Sequence, residues 1–388
     1  MQTVPLENLE ATPRVHFMNL DILRFIAAFA VACNHGFTAA EGWTGYPNFL
    51  RANLQDGHTP NELGTALVRL NGNLALGVEF FFLISGFLIT YLILVEQKNT
   101  GTLQVGKFYI RRILRVWPLY FLVLFTAPLW IEFMHVKTPD YLSNALFMNN
   151  FHAIFTGQLD PGLPHFWSIS VEEHFYLFWP VLLFFIPSKR LPLLFGGIVL
   201  SAILFRFFVY YFSDAVDLQG KFSTLSRIDT MAFGGWIAWY AVKKPIGIRT
   251  SRVWILVIFL VFAALFFFDN IHANNNIWSF LFKRYVYTLL FAFALVNCLY
   301  NPNAFISFKK KNVLHYFGKI SFGMYVYHNL LLPFVCVNII YTYDIKSWLV
   351  FWPIYLLLLF VVSILSFELF EKHFLKLKER FVVIQTSR

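Results

Sequence analysis

The 388-residue chain is 58% hydrophobic and 20% aromatic, with only 13% charged residues. That balance excludes an ordinary soluble domain and points to a polytopic membrane protein. The net charge of +10 would suit nucleic acid by sign, but its spacing along the chain follows membrane topology, so no nucleic-acid partner is expected.

Residues 1–16 are polar and contain Pro5 and Pro13. They show no positive n-region ahead of a small-residue cleavage site, so no cleaved signal peptide is expected. Apolar runs near 17–36, 74–95, 113–134, 166–186, 191–212, 228–242, 253–268, 283–300, 320–341 and 347–367 predict ten membrane helices. The fold expected is therefore all-α and polytopic. It divides into a cytoplasmic tail (1–16), a transmembrane unit (17–370) and a basic cytoplasmic tail (371–388). With the N-terminus inside, 20 of the 31 Lys and Arg residues fall in cytoplasmic segments and 8 outside. Arg24, Arg115 and Arg206 lie within spans. This asymmetry supports ten spans with both termini cytoplasmic. Cys33, Cys298 and Cys336 each lie in an apolar run and read as small packing residues, not a disulfide framework.

The first span reads NLDILRFIAAFAVACNH from Asn19 to His35. Arg24 and His35 are eleven residues apart, which brings them within about 20° of one helical face and about 16 Å apart along the axis. A charge inside a membrane helix is costly and suggests function; snorkelling of Arg24 to lipid phosphate is the competing reading. The second span carries GVEFFFLISGFL, Gly77 to Leu88. Its Glu79 needs a buried partner, and Ser85-Gly86 permits close approach of another helix or a thin ligand.

At the start of the third span, Lys107, Arg111, Arg112 and Arg115 form a cationic cluster. Guanidiniums suit bidentate phosphate recognition, and positive-inside anchoring is the plain alternative. The fourth span opens with HFWSISVEEHFYLFWP, in which Ser168, Glu172, Tyr176 and Trp179 share one side. His165, Glu172, Glu173 and His174 form no HExxH motif, and the Glu132-x-x-His135 pair has no second copy, so no metal is expected. Arg227 and Asp229 open the sixth span, either as an interfacial ion pair or as functional groups. In the ninth span Ser321, Tyr325 and His328 lie near one stripe, with a hydrogen-bonded structural histidine as the alternative reading.

Taken together, these motifs resemble the integral-membrane acyltransferases of acyltransferase family 3, which O-acylate sugars and other extracytoplasmic acceptors. The features that carry the resemblance are Arg24 with His35, the Gly77–Leu88 block and Arg112-x-x-Arg115. Trp167-Ser168 with Glu172 and Phe175-Tyr176, Arg227-x-Asp229 and the Ser321–His328 block complete it. It covers Leu20 to about Phe370. Family members often place an aromatic and a proline soon after the histidine matching His328, whereas Asn329 follows here and Pro333 comes later. Many relatives also carry a C-terminal esterase-like domain, so the chain looks like the stand-alone form.

The resemblance implies a multi-pass enzyme of the inner (plasma) membrane. It would move an acyl group, acetyl being the expected one, from cytoplasmic acyl-CoA to a hydroxyl of a carbohydrate or glycolipid acceptor outside. Arg112 and Arg115, with Lys107 and Arg111, would hold the CoA phosphates. The thioester arm would pass Arg24 and Ser85. His35 would deprotonate the acceptor, with Glu172 or Glu79 orienting it, and an acyl intermediate on Ser85 or His35 is left open. Trp167, Arg227, Asp229, Tyr325 and His328 are the expected acceptor contacts. Membrane lipid is the remaining partner, and the sequence sets no oligomeric state. Two other classes stay open: a transporter or exporter using Arg24, Glu79, Glu172 and His328 as a relay, and a scaffold without chemistry.

Overall fold

A computed structural model describes residues 17–43, 69–244, 246–269, 276–306, 308, 310–343 and 348–383. The expected tail 1–16, much of the loop 37–73 and residues 384–388 lie outside the described residues. Long helices occupy each of the ten apolar segments. They are α1 (Met18–Trp43), α2 (Gly77–Thr100), α3 (Val105–Phe125), α4 (Phe166–Phe185), α5 (Leu191–Phe212), α6 (Thr224–Lys243), α7 (Arg252–Phe268), α8 (Ile277–Tyr300), α9 (Val313–Phe334) and α10 (Trp348–Ser366). No strand occurs among the described residues.

Six segments are both long and apolar enough to cross a membrane: Asn19–Ala39, Arg69–Thr100, Ser188–Phe212, Ile277–Tyr300, Val313–Tyr341 and Val350–Phe381. The other four helices fall short for visible reasons. α7 is apolar but has 17 residues. The other three carry inward polar groups: Arg111, Arg112 and Arg115 in α3, Glu172 and Glu173 in α4, Arg227 and Asp229 in α6.

α7 is apolar all round and faces outward, with Val253, Trp254 and Leu260 exposed and Ile255 alone buried in it. α2 is the opposite case. It packs against α1, α4, α6 and α8 and buries most of its length.

The closest crossing is α2 on α6, and glycine makes it. A Cβ on Gly86 would lie 2.0 Å from the Met231 carbonyl oxygen, and one on Gly234 would lie 2.2 Å from the Leu83 carbonyl oxygen. Ser85-Gly86 therefore serves the approach of a helix backbone. α1 and α9 form the second extensive pair.

Buried ion pairs lock the polar helices in register. Arg206 of α5 meets Asp229 of α6 at 2.8 Å, both almost wholly buried, and Tyr285 of α8 donates to the same carboxylate at 2.7 Å. Arg227 pairs instead with Glu79 of α2. Of the two readings of Arg227 and Asp229, the ion pair between them does not form, because residues two apart on a helix point to nearly opposite sides.

Candidate active site

Two cavities open between these helices. The first, about 730 Å³ with its mouth, is lined by Arg24, Ser85, Arg112, Arg115, Glu172 and Tyr176. The second, about 2530 Å³ with its mouth, is lined among others by His35, Glu79, His165, Trp167, Lys221 and Arg227. Val78 and Tyr325 line both. α1 thus presents Arg24 to one cavity and His35 to the other, as the eleven-residue spacing requires.

The arginine cavity holds three cations and one carboxylate, Glu172, and none of the cations is in an ion pair. Among the described residues, Arg24, Arg112 and Arg115 make no ion pair and no hydrogen bond. Arg112 lies over the rings of Phe108 and Tyr176, 5.7 and 5.5 Å from their centroids, and its Nε is buried without a hydrogen-bond partner. The cavity's carboxylate is used elsewhere: Glu172 accepts from Ser85 Oγ, and from Tyr176 Oη at 3.0 Å. Unpaired guanidiniums in a low-dielectric site are costly, and an anion offsets that cost.

Arg111 and Lys107 stand apart from this cavity. Arg111 is paired with Glu96 at 3.0 Å and donates to the Phe381 carbonyl, tying α3 to the C-terminal segment. Lys107 is exposed. One face of α3 therefore lines the site while the neighbouring face holds the fold together.

In the second cavity, His35 Nδ1 lies 3.0 Å from His328 Nε2. His328 Nδ1 lies 2.5 Å from the Tyr325 carbonyl oxygen. A carbonyl only accepts, so in the neutral ring Nδ1 carries the proton and Nε2 is the acceptor. His35 must then donate through Nδ1, which leaves the lone pair of Nε2 on a ring that lines the cavity. That is the tautomer a general base needs.

The sequence reading expected Glu172 or Glu79 beside His35; His328 occupies that place. Glu172 turns to Ser85, and Glu79 is held by Arg227, by Arg284 at 3.6 Å and by Thr230 at 3.2 Å.

The boundary between the cavities is a hydrogen-bonded knot. Tyr325 Oη is 2.5 Å from Ser168 Oγ and donates to the His165 carbonyl at 3.2 Å. Trp167 lies under the Arg227 guanidinium, 5.5 Å from it, on the wall of the histidine cavity. Asp229 lies behind this wall, paired with Arg206 and outside both cavity linings.

The family model described as "Acyltransferase domain", that of acyltransferase family 3, matches residues 18–368. The chain belongs to acyltransferase family 3.

This family 3 acyltransferase is similar to a Staphylococcus aureus (strain COL) protein named "Putative O-acetyltransferase". The two are 27% identical over 284 residues, covering 67% of this chain and 46% of that protein. It is also 26% identical over 280 residues to "O-acetyltransferase OatA" of S. aureus (strain NCTC 8325), with the same coverage. The chain thus matches about half the length of these relatives. No solved structure matches. Membrane-length helices and family membership together make this a multi-pass membrane protein.

Three members of the acyltransferase's two cavities were not singled out from sequence as site residues. His165 lines the histidine cavity with its ring 4.8 Å from that of His328, and Tyr176 holds Glu172. The Ser168–Glu172–Tyr176 periodicity was the signal for the second. Arg284 sits in the charged opening of α8, where positive-inside counting absorbed it.

Proposed function

We propose that this chain transfers an acyl group, acetyl in the first instance, from acyl-CoA in the arginine cavity to an acceptor hydroxyl in the histidine cavity. The observation that carries this is the division of labour along α1. Guanidiniums without ion pairs line one cavity, a histidine whose Nε2 is unprotonated lines the other, and Val78 and Tyr325 border both.

Arg24, Arg112 and Arg115 would hold the phosphates of the donor, and its thin thioester arm would reach past Ser85 towards Tyr325. His35 Nε2 would take the proton of the acceptor hydroxyl as its oxygen attacks the thioester carbonyl. The C–S bond breaks, and the protonated His35 returns its proton to the leaving sulfur. His328 would keep the ring in the productive tautomer throughout by accepting from His35 Nδ1. Glu172 and Tyr176 would fix Ser85 on the path of the arm. This direct transfer leaves Ser85 as a positioning residue.

The charge asymmetry of the chain supports a cytoplasmic side for the arginine cavity and an outer side for the histidine cavity. On that reading the protein lies in the plasma membrane, draws donor from the cytoplasm and acts on a carbohydrate or glycolipid. The O-acetyltransferase names of its relatives support acetyl as the group moved. Purified protein in sealed vesicles, given acetyl-CoA on the Arg112 side and a sugar acceptor on the His35 side, should yield an acetylated sugar by mass spectrometry. Absence of both acetyl transfer and acetyl-CoA binding would overturn the reading.

A further inference from the structure

One wall of the histidine cavity is the short helix Val216–Phe222. Its last turn is clamped from two sides. Arg284 Nη2 donates to the Gly220 carbonyl at 3.0 Å, and Arg227 Nε donates to the Lys221 carbonyl at 2.7 Å. Gly220 also sits directly against α8, since a Cβ there would come 2.6 Å from the Phe280 ring. The backbone of Lys221 is therefore fixed.

Its side chain is exposed to the cavity, with Nζ 5.5 Å from the Phe222 ring centroid. Among the described residues the ammonium makes no ion pair or hydrogen bond. Asp217, one turn earlier, lines the same cavity beyond ion-pair distance.

The charges behind this wall do not balance. Arg206, Arg227 and Arg284 share two carboxylates, Glu79 and Asp229. Lys283 is matched by Asp269 at 2.8 Å. A neutral hydroxyl would call for no such excess of positive charge, and a cation without an ion-pair partner favours an anionic ligand.

We propose that the histidine cavity selects an acceptor bearing an anionic group, carboxylate or phosphate, besides the reacting hydroxyl, and that Lys221 is its anion contact. This rests on the reading of that cavity as the acceptor site. Lys221 holds the anionic end, Trp167 borders the ring, and the hydroxyl is left beside His35 Nε2.

The test is equilibrium binding to the full chain in detergent, without acyl donor, of methyl glucuronide, glucose 6-phosphate and methyl glucoside. At least one charged sugar should bind about tenfold or more tightly than the glucoside, the scale of one charge-assisted hydrogen bond. The tighter of the two identifies carboxylate or phosphate. Lys221→Gln should erase the preference while glucoside affinity stays, and Lys221→Arg should keep most of it. Should Lys221→Gln not fold, the parent's preference and its retention in Lys221→Arg still decide. Equal binding of charged and neutral sugars, no measurable binding of any, or a preference surviving in Lys221→Gln overturns the proposal. Because no acyl-CoA is present, failure here is separate from failure of acyl transfer.

Discussion

His328 Nε2 sits 3.0 Å from His35 Nδ1, and the backbone of α9 dictates which of them donates. The Tyr325 carbonyl holds the His328 Nδ1 proton, so His35 donates through Nδ1 and keeps its Nε2 lone pair, on a ring that lines the larger cavity. His328 Nε2, held in its accepting form by a backbone oxygen one turn away, thus takes the place at His35 Nδ1 that a carboxylate takes in a serine-protease triad.

His35→Ala should lower acyl transfer by about 10²–10⁴-fold, the range for loss of a positioned general base. Expression and thermal stability in detergent should stay near the parent's, because the His35 ring borders a cavity rather than the packed core. Near-normal turnover in vesicles would remove His35 from the mechanism.

On the proposed mechanism His328 is a positioning residue, and its signature is a split between rate and affinity. His328→Leu removes the acceptor for His35 Nδ1–H and should lower kcat by up to about 100-fold, with the KM for acceptor little changed. His328→Gln supplies a carbonyl oxygen at similar reach and should recover part of that loss. If Gln and Leu behave alike, the hydrogen bond has no part in catalysis.

The arginines on α3 should separate by face. Arg115→Lys and Arg112→Lys should weaken acyl-CoA binding about 10- to 150-fold, since an ammonium cannot replace a bidentate guanidinium. Arg111→Lys should leave donor affinity near that of the parent and instead loosen the attachment of α3 to Glu96 and Phe381. Calorimetry on purified protein checks all three. Equal donor affinity in the parent, Arg112→Lys and Arg115→Lys would make these residues membrane anchors.

Glycine at the α2–α6 crossing offers a stability test. Gly86→Ala forces a methyl into the Met231 carbonyl and should cost about 1–3 kcal/mol or more, read as a lowered melting temperature in detergent. Gly196→Ala in α5, where a Cβ meets nothing within 4 Å, should be neutral or gain up to about 1 kcal/mol.

Sidedness can be read directly. Gln158→Cys and Lys310→Cys both place a thiol at an exposed position. An impermeant thiol reagent applied to intact cells should label the first and spare the second. The opposite pattern would put the three arginines on the wrong side for cytoplasmic acyl-CoA.

The helices and the Arg24–His35 stripe were legible in the sequence because both depend on one segment at a time. A run of about 20 apolar residues makes a helix whatever its neighbours are, and the 3.6-residue period alone puts residues 24 and 35 on one face. The cationic cluster of α3 was half legible, since residue type and spacing suggested phosphate chemistry but not which cation was already engaged, nor that Arg24 lines the same cavity as Arg112 and Arg115. Partnerships between helices were settled only in the tertiary structure. Glu79 could have met His35, but the rotation of α6 about its glycine crossing brings Arg227 to it. His35 could have met Glu172, but α4 turns that carboxylate onto Ser85, and α9 delivers His328 from 293 residues away. A side chain's own helix sets its direction, whereas its partner is chosen by how several helices pack. That packing depends on shape and close approach at many positions at once, which no local pattern encodes.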